Sequence, residues 1–164
     1  MANSEKQLKD LVIPLSRYPH MPYWATLKEA VVQLTVAQQD LPQGDRRRTV
    51  LVFDEAYRLK GMLTQRNILK AIEPRFSENV AEGYRVDWQD LVNKPSQEQL
   101  VKPISDFMSP IKATVDSGDS LLHASHVMIS QGLGLLPVME GEKVAGVVRL
   151  QDLFMELGLS ILGA

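Results

Sequence analysis

The sequence predicts an α/β fold built from an internal duplication, and three features of the chain support this prediction. The first is the unbroken apolar run 50–53, which is typical of a strand buried on both faces. The second is the apolar segment 59–63, which predicts another strand, followed by a helix that opens with Gln65. The third is a second copy of this strand, turn, strand and helix pattern at residues 136–157.

The first copy shows what each element contributes. Gly61 interrupts the second strand, which indicates a place where another backbone approaches closely. Thr64 is the predicted cap of the following helix, because its hydroxyl can accept a backbone N–H that a helix start leaves without a partner. Ile68, Leu69 and Ile72 fall on one side of that helix and predict an apolar face.

The two copies align residue by residue. Gly61 corresponds to Gly146 and Asn67 to Asp152, each 85 residues later. A helix is predicted before each copy, with Thr26 capping the first and Asp119 or Ser120 capping the second. An insertion around residues 38–46 lengthens the first copy.

Apolar periodicity predicts the buried side of the remaining helices. The predicted inward residues of the two early helices are Leu27, Ala30, Val31 and Leu34, and Leu121, Leu122, Ala124, Val127 and Met128. The last helix, from Leu150, carries Leu153, Phe154 and Leu157 and extends toward Leu162. Its apolar end is a candidate dimer surface.

This ordered set of elements resembles the CBS motif, named for cystathionine β-synthase, and its double occurrence resembles a stand-alone tandem CBS pair, or Bateman module. The second copy also carries the lead-in 106–110 that is usual in the family, followed by Thr114 and Val115. The resemblance implies two β-α-β-β-α repeats packed with pseudo-twofold symmetry. It assigns residues 1–75 to a lead-in and the first motif, 76–102 to a connecting segment, and 103–164 to the second motif with the C-terminal helix.

The connecting segment is long for a link between two elements, which predicts that it is partly structured. Residues 86–92 are predicted to form a short helix that buries Trp88. The sequence leaves open whether this segment packs on the pair or reaches to a partner.

Composition excludes several classes of function. The chain of 164 residues contains no cysteine, which excludes disulfides, thiol catalysis and cysteine-ligated metal. No apolar run approaches the roughly 18 residues of a membrane helix. The first residues lack the apolar core of a signal peptide, so we expect a cytoplasmic location.

Catalytic and metal-binding patterns are not apparent in the sequence. No serine lies in a nucleophile-elbow pattern, and neither a Walker loop nor a GxGxxG stretch occurs, so we do not expect an enzyme. His123 and His126 lie on one helix face, but no third ligand at matching spacing supports a metal site. The basic run Arg46, Arg47 and Arg48 lacks interleaved aromatic residues, so nucleic-acid binding ranks last among the alternatives.

The resemblance implies a ligand. In many members of the family, two clefts between the motifs hold adenosine compounds such as AMP, ADP, ATP or S-adenosylmethionine, and no cofactor is required. An acidic residue at the start of the last helix typically holds the ribose hydroxyls, and a Ser or Thr three residues earlier contacts phosphate. A carboxylate suits the first role because its oxygens accept from two hydroxyls.

Carried over by position, the two implied clefts differ. The first has Thr64 at the phosphate position and Asn67 in place of the acid. The second keeps Asp152, whereas Arg149 replaces the Ser or Thr and could grip a phosphate or fill the cleft itself. The base-facing partners implied for the first cleft are Thr114, Val115, Leu136, Pro137 and Val138, and for the second cleft Thr49 and the next two residues, with Arg48 near the phosphates.

Two functions are therefore expected from the sequence. One is a regulatory module that binds an adenosine nucleotide and signals through an unidentified protein partner or a homodimer formed by its helices. The alternative is a pair that binds no ligand and serves for dimerisation and interaction. A panel of nucleotides in a stability assay separates them.

Overall fold

The computed structural model describes residues 6–72 and 88–163. The chain divides into two compact units. The first unit contains Pro19–Pro110, and the second contains Met1–Tyr18 together with Ile111–Ala164. Each unit contains a four-stranded sheet.

The described strands and helices follow in chain order. The strands are β1 (Ile13–Pro14), β2 (His20–Pro22), β3 (Thr49–Phe53), β4 (Leu59–Thr64), β5 (Ser109–Pro110), β6 (Val115–Asp116), β7 (Leu135–Glu140) and β8 (Lys143–Arg149). The helices are α1 (Leu27–Leu34), α2 (65–72), α3 (Trp88–Leu100), α4 (Leu121–Gln131) and α5 (Leu150–Ile161).

The first sheet has the strand order β2-β3-β4-β5. β2 runs parallel to β3, and the other neighbours are antiparallel. Every residue of β3 is buried, as the unbroken apolar run predicts for a strand covered on both faces. The core of this unit joins Val50, Val52 and Leu63 of the sheet to residues of α1.

The second sheet repeats this plan with the order β1-β8-β7-β6. β6 runs parallel to β7, and β7 pairs antiparallel with β8. Its core joins Leu136, Val138 and Val148 to Ala124 and Met128 of α4. The mixed α/β fold with a duplicated unit is therefore confirmed.

Each repeat supplies an edge strand to the sheet of the other repeat. β1 precedes the first repeat and pairs with β8 of the second, whereas β5 precedes the second repeat and pairs with β4 of the first. The two lead-in segments correspond at a separation of 96 residues, since Leu8 matches Ile104 and Pro14 matches Pro110. Leu8 and Ile104 are each fully buried, and each is the first residue of an equivalent short 3-10 helix.

The two matched glycines make this pairing possible. Gly61 lies opposite Pro110 and Gly146 opposite Pro14. A Cβ atom on Gly61 would lie 2.7 Å from the backbone oxygen of Ser109, and one on Gly146 would clash with the backbone of Ile13. The prediction of a close backbone approach at Gly61 is confirmed.

The predicted caps of the early helices are also confirmed. The backbone N–H of Glu29 donates to the Thr26 hydroxyl at 3.2 Å, and that of His123 donates to the Ser120 hydroxyl at 3.0 Å. At the end of α4, Gly132 has φ of 64°, a left-handed conformation that favours glycine.

The turn of the first hairpin is held by a carboxylate and an aromatic stack. Asp54 accepts hydrogen bonds from the backbone N–H groups of Arg58 and Ala56 and from the Arg58 guanidinium. The Arg58 backbone donor is the main reason why the pKa of Asp54 is lowered from its ordinary value. Tyr57 has φ of 61°, which is uncommon outside glycine, and its ring stacks on Phe53 at 4.9 Å between centroids.

Several apolar residues that were predicted to face the core are exposed. Leu69 is 62% exposed, and the buried residue of α2 is Ala71. Leu122 is 81% exposed, whereas Leu121 beside it is partly buried, because neighbouring helix positions differ by about 100° and cannot both face the core.

A helix is present where one was predicted around Trp88, but the prediction that it buries Trp88 is wrong. Trp88 begins α3 and is 71% exposed. The helix is anchored at its other end, where Leu100 packs against the first core and the Gln99 amide donates to the Ala71 carbonyl at 2.8 Å. Residues 86 and 87 lie outside the described residues.

Adding a methyl group at either matched glycine tests the edge-strand pairing. We expect Gly61→Ala and Gly146→Ala each to lower the free energy of unfolding by about 1–3 kcal/mol, since backbone atoms must move apart to make room. Urea denaturation measures the change. Gly44→Ala is the control, because no described atom lies within 4 Å of the added group. Equal midpoints for Gly61→Ala and Gly44→Ala would contradict the close approach.

Candidate functional site

The junction of β8 and α5 contains a closed ion pair. Arg149 ends β8, and Asp152 lies in the first turn of α5. The Arg149 Nε donates to Asp152 Oδ2 at 2.7 Å, and its Nη2 donates to Oδ1 at 2.9 Å. The two side chains are 18% and 27% exposed, so the pair is shielded but reachable from solvent.

The strand register places this pair. Arg149 lies opposite Leu135 in the β7–β8 pairing. The N–H of Leu150 then donates to the Gly134 carbonyl at 2.9 Å, which fixes where α5 begins. Asp152 follows within one helical turn, where its carboxylate can reach back to the end of the strand.

The equivalent junction of β4 and α2 is a reciprocal capping box. The Asn67 N–H donates to the Thr64 hydroxyl at 3.1 Å, and the Thr64 N–H donates to Asn67 Oδ1 at 2.9 Å. The Thr64 hydroxyl also donates to Asn67 Oδ1 at 3.0 Å. Thr64 is therefore confirmed as the cap of α2.

Ser109 completes the polar contacts of Asn67. The Asn67 amide nitrogen donates to the Ser109 hydroxyl on β5 at 3.0 Å. Since Asn67 Oδ1 already accepts two hydrogen bonds, both ends of this side chain are engaged. No sequence pattern indicated the Ser109 contact, because the corresponding residue of the other lead-in is the apolar Ile13.

The other predicted site residues of the first unit lie near its helix start. Thr49 is buried on β3 opposite Thr64. Arg48 precedes it with an exposed side chain, and its carbonyl accepts from the Gln65 N–H at 3.2 Å. Arg48, Thr49, Thr64 and Asn67 therefore cluster at one end of the first hairpin.

The remaining predicted residues line the strands of the second unit. Leu136, Pro137 and Val138 are buried on β7, and Val115 on β6 lies opposite Val138. Thr114 is exposed and precedes β6, which begins at Val115.

The basic cluster serves partly to hold the insertion of the first repeat. Arg46 donates to the Leu41 and Gln39 carbonyls at 3.1 and 3.3 Å, and Arg47 donates to the Asp45 carbonyl at 2.6 Å. Gln38 is buried, and its amide nitrogen donates to the Arg47 carbonyl at 2.9 Å. These contacts give Arg46 and Arg47 a structural role in the loop.

A pocket of about 790 Å³ lies elsewhere in the second unit. Its lining includes Ser117, Ser120 and Ser160. Lys6 and Glu156 also line it and form an ion pair at 3.0 Å. The predicted nucleotide-binding residues are not among the described residues that line it.

Residues 6–72 and 88–163 contain neither a cluster of metal ligands nor a membrane-spanning helix. Within that part of the chain, no group of three or more His, Cys, Asp or Glu side chains could hold a metal ion. His123 Nε2 lies 3.8 Å from an Asp119 oxygen, four residues earlier. The helices in the same described ranges include none that is long and apolar enough to cross a bilayer.

Comparison with known proteins finds a family match over part of the chain. The sequence model of the family described as CBS domain matches residues 104–158, which include the Arg149 and Asp152 junction. This stretch of the chain is a CBS domain. No curated protein sequence matches it.

Solved structures extend the CBS fold to the whole chain. The chain is similar to CBSX2 in complex with AMP, with 15% identity, a TM-score of 0.65, and 95% of this chain and 98% of that chain covered. It is similar to a CBS-domain protein from Agrobacterium tumefaciens, with 16% identity, a TM-score of 0.66, and coverage of 96% and 98%. It is also similar to the cytosolic domain of the Mg²⁺ channel MgtE in complex with ATP, with 20% identity, a TM-score of 0.64, and coverage of 93% and 49%. At these identities the likeness shows the fold, that of a CBS pair.

Removing the Asn67 side chain tests its role in the first unit. We expect Asn67→Ala to lower the free energy of unfolding by about 1–2 kcal/mol, because the hydrogen bonds of the Asn67 side chain to Thr64 and to Ser109 are lost together. Chemical denaturation measures the change. Gln65→Ala, an exposed position in the same helical turn, is the control and should change the free energy of unfolding by less than about 0.5 kcal/mol. Equal costs for the two variants would show that Asn67 does not hold the junction.

Proposed function

We propose that this CBS pair is a regulatory module that binds an adenosine nucleotide, with Asp152 holding the ribose hydroxyls and Arg149 contacting phosphate. The observation that carries the proposal is the partly exposed Arg149–Asp152 pair at the start of α5. A carboxylate can accept from two hydroxyls, and a guanidinium fork matches the geometry of a phosphate. The two side chains thus offer complementary chemistry for a nucleoside phosphate.

The similar structures support the choice of ligand class. CBSX2 was crystallised with AMP, and the cytosolic domain of MgtE with ATP. Both share the fold of this chain, so an adenosine nucleotide is the ligand class to test first.

The first unit offers a weaker ribose site in this proposal. Asn67 replaces the carboxylate, and its amide is engaged by Thr64 and Ser109. A ribose would have to displace these contacts before it could bind. Further candidate contacts with the nucleotide are Arg48, Thr49, Thr114, Val115, Leu136, Pro137 and Val138.

A thermal-shift panel of AMP, ADP, ATP, S-adenosylmethionine and NAD tests the proposal. A nucleotide present at 100 times its dissociation constant should stabilise the fold by about 2.7 kcal/mol, which raises the melting temperature. We expect Asp152→Asn to remove most of this shift, because its amide no longer offers two acceptor oxygens to the ribose. Mass spectrometry of denatured, freshly purified protein would identify a nucleotide that is already bound.

The matched control is the equivalent position of the other repeat. Asn67→Ala should leave the nucleotide-induced shift in place, measured against the lower starting stability of that variant. If the nucleotide-induced rise in melting temperature is lost in Asn67→Ala and kept in Asp152→Asn, the ribose site lies in the first unit and not in the second. A melting temperature unchanged by the whole panel would favour a pair that serves for interaction alone.

An exposed apolar stripe on α5 supports the second candidate function, homodimerisation. Leu150, Phe154, Leu157 and Ile161 recur at helical spacing, and all four are exposed. Leu122 and Ile129 on α4, which packs against α5, are exposed as well. A contiguous apolar face of this kind marks an interaction surface in soluble proteins, and we propose that a second copy of the chain covers it.

A charge placed in the stripe tests this proposal. We expect Phe154→Glu to dissociate the dimer into monomers of 18.4 kDa, because association would bury an unpaired carboxylate. Sedimentation velocity measures the mass. Gln33→Glu adds the same charge at an exposed position of α1 and should leave the dimer intact. Wild-type protein that is monomeric at tens of micromolar would refute the proposed surface.

The cytoplasmic location and a regulatory rather than catalytic role stay predictions. A protein partner that receives the signal is a further proposal.

A further inference from the structure

We infer that Arg149 makes the α5 site selective for adenosine ligands that carry a phosphate, by closing on Asp152 until such a ligand displaces it. This inference rests on the proposed function, since it concerns the same site. It assigns to Arg149 the choice between a nucleotide and the neutral nucleoside. The starting observation is the two-point contact of its guanidinium with both carboxylate oxygens of Asp152.

Because Arg149 and Asp152 bind each other, a ligand that binds either side chain must first break their contact. Ribose hydroxyls can reach the carboxylate oxygens of Asp152 only if the guanidinium withdraws from at least one of them. Arg149 is 18% exposed, so after withdrawal its charge stays largely shielded from water and requires a new anionic partner. A charged group that loses its partner in such a place is costly to the complex.

A nucleotide supplies a phosphate that can replace Asp152 as the anionic partner of Arg149, whereas a neutral nucleoside supplies none. When AMP binds, the two ribose hydroxyls replace the guanidinium on Asp152, and the phosphate replaces the carboxylate on Arg149. Every charged group then has a partner of opposite charge or a hydrogen-bond donor. When adenosine binds, Asp152 gains the hydroxyls but Arg149 is left without an anion.

The equivalent position in the first unit has no arginine, and the contact there involves no charged group. Its corresponding residue, Thr64, bonds to Asn67 through neutral groups, so no charge has to be re-paired when that contact opens. Selectivity for phosphate is therefore a property of the second unit alone in this scheme.

The experiment compares AMP with adenosine by isothermal titration calorimetry. Wild-type protein should bind AMP roughly tenfold or more tightly than adenosine, as expected for one charged hydrogen-bonding partner. In Arg149→Gln, AMP should bind more weakly and adenosine more tightly, since Asp152 is no longer closed off. These opposite changes cannot come from a general loss of structure, and the melting temperature of each variant confirms that it is folded.

Two further variants keep the test decisive. Asp152→Asn removes the carboxylate but keeps the guanidinium, so both ligands should weaken while the preference for AMP is retained. This variant tests the inference even if Arg149→Gln does not fold. Arg66→Gln removes an equal charge from an exposed position in the first turn of α2 and should leave both affinities unchanged.

The results distinguish a failure of the role assigned to Arg149 from a failure of nucleotide binding itself. An AMP-to-adenosine ratio that is the same in wild type and Arg149→Gln overturns the role of Arg149 while leaving nucleotide binding in place. Loss of the ratio in Asp152→Asn overturns it as well. Wild-type protein that binds neither AMP nor adenosine at millimolar concentration overturns the inference, and a melting temperature unchanged by the whole nucleotide panel refutes the proposed function as well.

Discussion

In each unit, a buried strand pairs antiparallel with the strand that follows it, β3 with β4 and β7 with β8. This pairing sets the residue at which the next helix begins. The first helical N–H of α2 and of α5 donates to the carbonyl just before the buried strand. A slip of one residue along β4 or β8 would move Gly61 or Gly146 away from the edge strand and put a side chain where only glycine fits, so these contacts hold the register. This register therefore also sets the positions of the two polar pairs, Thr64 with Asn67 and Arg149 with Asp152.

The sequence predicted the elements whose cause is local or repeated. An unbroken apolar run indicated β3, a glycine in both copies indicated a close approach, and hydroxyl residues indicated caps. Apolar residues on helix faces were predicted less well, as Leu69, Leu122 and Trp88 show. Their apolar character is visible in the sequence, but the neighbour that covers a given face is set by packing between distant elements. The exchange of lead-in strands was missed, although Leu8 and Pro14 match Ile104 and Pro110 at constant spacing.

The candidate site was predictable in its positions and less so in its contacts. Spacing of three residues placed Thr64 near Asn67 and Arg149 near Asp152 on the same helical turn. It did not decide whether these side chains bond to each other or point to a ligand. The sequence left both possibilities open for Arg149, and the structure places it on Asp152. Duplication has thus kept one framework while its two helix starts diverged, one to neutral hydrogen bonds and the other to opposite charges.

The exchange of lead-in strands limits how the chain can be divided. A fragment that ended after the first repeat would lack β5, and it would carry β1, whose pairing partner β8 had been removed. The complementary fragment would have the reverse defect, with an uncovered backbone edge along β8. Such edges readily accept strands from other molecules. Halves produced by proteolysis or by gene truncation would therefore tend to aggregate, and the duplicated gene is constrained to stay in one piece.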